Sequence, residues 1–116
     1  MNKEATRYYS DLHEKSVCKA LGAKQQSNSG AGLFAKGDVI HKESSTLIEC
    51  KTCMSEKNSF SIKKDWLEKN VKEAHEINLF NSMLCFNFGP NTENYYVISE
   101  KLAKYLVEKL EEDNYN

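Results

Sequence analysis

The chain has 116 residues, 40% of them apolar, and a formal charge of −1, which is the size and apolar content of one globular domain. No apolar run approaches the roughly 20 residues of a membrane-spanning helix, and the opening stretch lacks the apolar core of a signal peptide. The expectation is a single-domain intracellular, cytoplasmic protein with no membrane partner.

Charge is unevenly distributed. Up to Lys72 there are 13 basic residues against 9 acidic ones, and from Glu73 onward 3 against 8. A net charge of −1 is unusual for a nucleic-acid binder and speaks against that class, while the basic excess before Lys72 leaves room for a modest phosphate-binding face.

Taken in order, Lys3 to Leu21 reads as a helix stopped by Gly22, with Tyr9, Leu12, Ser16 or Val17, and Ala20 or Leu21 as the stripe that faces a sheet. Glu14 falls off the centre of that stripe, where a solvated glutamate is the ordinary reading, and His13 reads as a surface or packed histidine. Ala23 to Ser27 suggests a short first strand. The next segment, NSGAGLFAK over residues 28–36, is a glycine-rich loop whose backbone amides can approach phosphate closely. It lacks the G-K-[ST] signature, so no nucleotide cofactor is expected. Leu33 and Phe34 point to burial against DNA or a partner chain.

Val39 and Ile40, then Thr46 to Lys51, form two β-prone runs joined by HKESS, which reads as a hairpin. Strand alternation turns Leu47, Glu49 and Lys51 to one face and Ile48 and Cys50 to the other. Asp38 and Glu49 can hold a hard divalent cation with the Cys50 carbonyl as a third oxygen ligand. Lys51 on the face of Glu49 is suited to orienting or deprotonating an attacking water and to steadying charge on a phosphoryl group. The same spacing also describes a solvated surface hairpin.

Thr52 to Ser59 is a polar connection. Ser61 is a candidate cap for a helix from Ile62 to about Ile77, with Ile62, Trp66, Asn70 or Val71, Ala74 and Ile77 as its inner stripe. Lys57, Lys63, Lys64, Lys69 and Lys72 fall away from that stripe, suited either to solvation or to phosphate contacts. Ser82 to Phe88 should be a central or near-central strand, residues 89–94 a turn, and Tyr95 to Ile98 a last strand. Ser99 then caps a helix to about Glu112, carrying Leu102, Leu106 and Leu110, followed by a frayed acidic tail at 113–116.

Cys50 and Cys53 satisfy C-x-x-C, a pattern used by zinc and redox sites, but Cys18, Cys85 and the three histidines lack paired spacing for the remaining ligands. Cys50 and Cys85 read better as small core residues. A zinc-binding adaptor remains an alternative.

A helix bearing Glu14, a loop with Ser29 and Gly30, Gly37-Asp38, ten residues, and Glu49-Cys50-Lys51 follow one another in an order that resembles the PD-(D/E)XK nuclease superfamily. Within it, the small Holliday junction resolvase-like endonucleases are the nearest in pattern. The resemblance runs from about Thr6 to Ala74, with Gly37 where the motif's name has proline. It implies an α/β restriction-endonuclease-like layered domain, with a mixed central sheet of about five strands flanked by helices. It also implies a magnesium-dependent DNA nuclease in which manganese can substitute.

Under that resemblance Asp38, Glu49, the Cys50 carbonyl and Glu14 would bind metal, and Asp38, Glu49, Lys51 and Glu14 would carry catalysis. Ser29, Gly30, Lys36, Lys63 and Lys64 would contact DNA. The substrate implied is branched DNA such as a four-way junction, and paired nicks on symmetric strands call for a homodimer. The compact size fits a phage-encoded or bacterial recombination enzyme. Competing readings are another nuclease of the superfamily (nickase, restriction-type or fork nuclease) and a non-catalytic nucleic-acid-binding module on the same fold.

Overall fold

A computed structural model of the chain describes residues 3–26 and 38–115. Three helices and five strands follow in the order α1 (Lys3–Leu21), β1 (Lys24–Gln25), β2 (Asp38–His41), β3 (Thr46–Lys51), α2 (Lys64–Glu76), β4 (Asn81–Phe86), β5 (Tyr95–Val97) and α3 (Glu100–Tyr115). The strands form one mixed sheet in sequential order. All neighbours are antiparallel except β3 and β4, which run parallel. A parallel pair cannot be joined by a tight turn, and α2 supplies the crossover.

Helix α1 covers one face of the sheet. Its Val17 is buried with Val39, Ile48, Cys50 and Cys85, and Cys18, Ala23, Met83 and Tyr96 pack around them. Helix α2 packs on β3 and β4, and its Trp66 ring lies against Lys51, on the opposite face of the sheet from the α1 cluster. Leu47 and Leu84 alternate with the α1-facing residues and are fully buried on this second side. The sheet is therefore covered on both faces around β3, and Thr46 and Glu49 on that strand are buried.

The helix ends follow from local chemistry. Gly22, at φ 68°, closes α1, and the Ala23 amide donates to the Cys18 carbonyl at 3.1 Å in a Schellman arrangement. Asn78, at φ 61°, does the same for α2, with the Asn78 amide donating to His75 at 3.0 Å and the Leu79 amide to Ala74 at 2.8 Å. The Ser99 hydroxyl accepts from the Leu102 amide at 3.2 Å and starts α3 as its position suggests.

Three expectations are corrected. Ser61 does not start α2, because the chain stays extended through Lys63, whose carbonyl accepts the first helical bond from Trp66. Of the stripe expected on α1, Tyr9 and Leu12 are half-buried and Val17 is fully buried, but Ser16, Ala20 and Leu21 are exposed and His13 and Glu14 are buried instead, because α1 turns this side to β1, β2 and β3. Helix α3 continues through Tyr115, beyond Glu112 and into the tail expected to fray.

Ile48 is fully buried at the centre of the α1-side core. Ile48→Ala should lower unfolding stability by about 2–4 kcal/mol, the usual cost of a truncated core aliphatic, read as a fall in the urea midpoint at constant m-value.

Candidate active site

The hairpin of β2 and β3 places Asp38 directly opposite Glu49. Side chains at directly opposed positions share a face. Here it is the face of Lys51 and Trp66, since Cys50 and Ile48, the alternate residues, belong to the α1-side core. Asp38 is 2% exposed and Glu49 5%. Two carboxylates are thus brought side by side out of bulk water, an arrangement that costs free energy unless positive charge accompanies it.

Lys51 supplies part of that charge. Its Nζ lies 2.7 Å from Glu49 Oε2, within ion-pair and hydrogen-bond distance. The ammonium also sits 4.4 Å from the centroid of the Trp66 ring, where the ring's electron-rich face favours a cation. Lys51 is held between Glu49 and Trp66. Glu49 Oε1 is equally buried and has no hydrogen-bond partner among the described residues. A second cation at this atom would satisfy it, and the hard oxygen chemistry of two adjacent carboxylates suits a divalent ion.

Other expected residues fall in different places. Lys63 comes to the site, its Nζ 5.7 Å from the same Trp66 ring. Lys64 begins α2 and is exposed. Ser29, Gly30, Lys36, Leu33 and Phe34 lie outside the described residues. The Cys50 thiol points to the α1 core, so only the Cys50 backbone carbonyl is a candidate ligand.

Glu14 is buried, contrary to the solvated reading, and its Oε1 accepts a hydrogen bond from Gln25 Nε2 at 3.2 Å. The same amide donates to Asp11 Oδ1 at 3.0 Å. Gln25 pairs with Val39 and so belongs to the α1 side of the sheet. The described residues contain no group of three or more His, Cys, Asp or Glu side chains able to hold a metal. Glu14 is thus engaged with Gln25 on the α1 side, while Asp38 and Glu49 pair across β2 and β3.

His13 is the residue whose surroundings the sequence concealed. Buried on α1, it sets Nδ1 3.1 Å from Thr52 Oγ1 and Nε2 3.4 Å from Cys85 Sγ. Cys85 is the register partner of Cys50. A hydrogen bond between the two thiols and burial push Cys50 up, while that bond and the contact with His13 draw Cys85 below the usual thiol range. No residue of this cluster is exposed, which fits a core role. A cavity of about 240 Å³ lies nearby, lined by His13, Thr52, Cys53 and Asn87 among others. It sits on the α1 side and is separate from the carboxylate pair.

Comparison of the chain with protein-family models, with curated proteins and with solved structures gives no match.

Burial pushes the Glu14 carboxyl above its ordinary range, Asp11 nearby pushes the same way, and the Gln25 amide opposes both. A carboxyl held above its unfolded value of about 4.3 is stabilising only when protonated, so its penalty is absent at low pH and grows as pH rises through the folded value. Glu14→Gln should therefore raise the melting temperature at pH 7 by about 1–3 °C, and the gain should vanish near pH 4. Thermal melts of both proteins at the two pH values measure it.

Proposed function

We propose that this protein is a magnesium-dependent, structure-selective endodeoxyribonuclease of the Holliday junction resolvase type. The observation that carries the reading is the buried pair Asp38 and Glu49, facing each other across β2 and β3, with one Glu49 oxygen on Lys51 and the other unsatisfied. A surface hairpin would leave such groups in water. A purely structural core would not contain two opposed acids.

Asp38 and Glu49, with the Cys50 carbonyl, are the residues that would hold the ion, and the buried unpartnered Glu49 oxygen fits it. When bound, a magnesium ion supplies charge to a phosphoryl oxygen and acidifies a coordinated water. Glu49 and Asp38 would present their carboxylate oxygens to the ion from fixed strand positions. Lys51, pinned by Glu49 and Trp66, presents its remaining N–H donors to the phosphate or the attacking water as negative charge develops. Lys63, beside the same ring, is placed to meet an adjacent phosphate. Glu14 is engaged with Gln25 and is left out of this set.

Junction selectivity rests on the motif resemblance, and a two-fold dimer would deliver the paired nicks. Another nuclease of the superfamily would use the same carboxylates and lysine on a different DNA shape.

Incubating the protein with a labelled four-way junction and the matching duplex, in magnesium and in EDTA, tests the reading. Paired symmetric nicks should appear in the junction with magnesium alone. Asp38→Asn and Glu49→Gln should each lower the rate by roughly 1,000-fold or more and leave junction binding intact. Lys51→Ala should lose about 100-fold. Equal cutting of duplex and junction would keep the nuclease and discard junction selectivity. Full activity in Asp38→Asn would remove the site assignment.

A further inference from the structure

Helix α3 follows β5 at the C-terminal end of the described residues. Among the described residues no other helix or strand packs against it. It nevertheless carries an apolar stripe, in which Leu102 and Ala103 are half-buried while Leu106, Val107 and Leu110 are 49%, 61% and 52% exposed, with Tyr105 beside them at 58%. At 3.6 residues per turn Leu102, Leu106 and Leu110 line one edge of this stripe and Ala103 and Val107 the other. A helix of 16 residues is marginal in water on its own propensity, and such a face stabilises it only when covered.

The charges on α3 say what covers it. Glu100, Lys101 and Lys104 stand in the first half, and Glu108, Lys109, Glu111, Glu112 and Asp113 in the second, giving a positive half and an acidic half. Lys104 and Glu111 are seven residues apart, two turns along the same flank of the stripe. In an antiparallel pair of α3 helices with its two-fold axis near Val107, Lys104 of each copy meets Glu111 of the other, and the acidic ends lie apart. A parallel pair would set Lys104 against Lys104 and Glu111 against Glu111.

We infer that α3 is a self-association helix. Two copies of this chain pair through antiparallel α3 helices, burying Leu102, Leu106, Val107 and Leu110 across a two-fold axis, with reciprocal Lys104–Glu111 pairs fixing the orientation. A two-fold contact of this kind is self-complementary and closes at two subunits. The inference rests on the stripe and charge order of α3, and it stands whether or not the carboxylate site is a nuclease.

Sedimentation equilibrium of the 116-residue chain, without metal or DNA, tests it. The wild type should sediment as a dimer at micromolar concentration. Leu106→Asp should sediment as a monomer whose near-UV circular dichroism, reporting the Trp66 environment, is unchanged. Lys104→Glu and Glu111→Lys should each weaken association by about tenfold or more, since each places like charges together twice per dimer. The double variant Lys104→Glu with Glu111→Lys should restore it, an outcome that general destabilisation of α3 cannot produce. A wild-type monomer at every concentration, or a dimer unaffected by Leu106→Asp, would overturn the inference. So would a charge swap that fails to rescue.

Discussion

Two acidic side chains face each other across an antiparallel strand pair, desolvated by a helix on one side of the sheet and by Trp66 and α2 on the other. The hairpin register decides this. With Val39 opposite Ile48, the alternation that fills the α1-side core with Val39, Ile48 and Cys50 necessarily turns Asp38 and Glu49 to the α2 side. A slip by one residue would put the acids against Val17 and turn the core aliphatics toward α2. The hydrophobic pattern therefore fixes the candidate site and the fold together, and Lys51 is brought to Glu49 by the same period of two. The cost of burying like charges is offset only in part by one ammonium over one indole, and this imbalance is the physical basis for expecting a cation there.

Much of this was legible in the sequence because it depends on short-range rules. The span of α1, the hairpin and the shared face of Glu49 and Lys51 follow from Gly22, from the HKESS turn and from strand alternation. The structure also bears out the three-helix, five-strand mixed α/β sheet. What could not be read depends on tertiary contact. Glu14 looks like a surface residue on a helical wheel, yet it is buried beside Gln25 of β1, the product of how α1 lies on the strands rather than of α1's own pattern. His13 looks unremarkable until β3 and β4 bring Thr52 and Cys85 to its two nitrogens. The capping potential of Ser61 was overridden because the chain remains extended to Lys63, beside Trp66.

The described residues divide into two regions. The sheet, with α1 and α2, contains the core and the carboxylate pair, while α3 follows β5 and carries an apolar stripe that no other described helix or strand covers. A site built on strands is rigid by construction, since β3 is paired on both sides and both of its faces are packed. An interface built on a separate helix can be altered without disturbing that rigidity. Two identical sites linked through α3 would be related by a two-fold axis, the symmetry that paired incision of opposed strands requires.

The claim on which the rest turns is that the buried acids hold a divalent ion. Calorimetric titration of the metal-free protein with manganese, repeated on Glu49→Gln, addresses it without any assumption about substrate. The account predicts saturable binding by the wild type, competed by magnesium and lost in Glu49→Gln, a variant that keeps the shape of the side chain and removes its charge. Binding of equal strength in both proteins, or in neither, would contradict it.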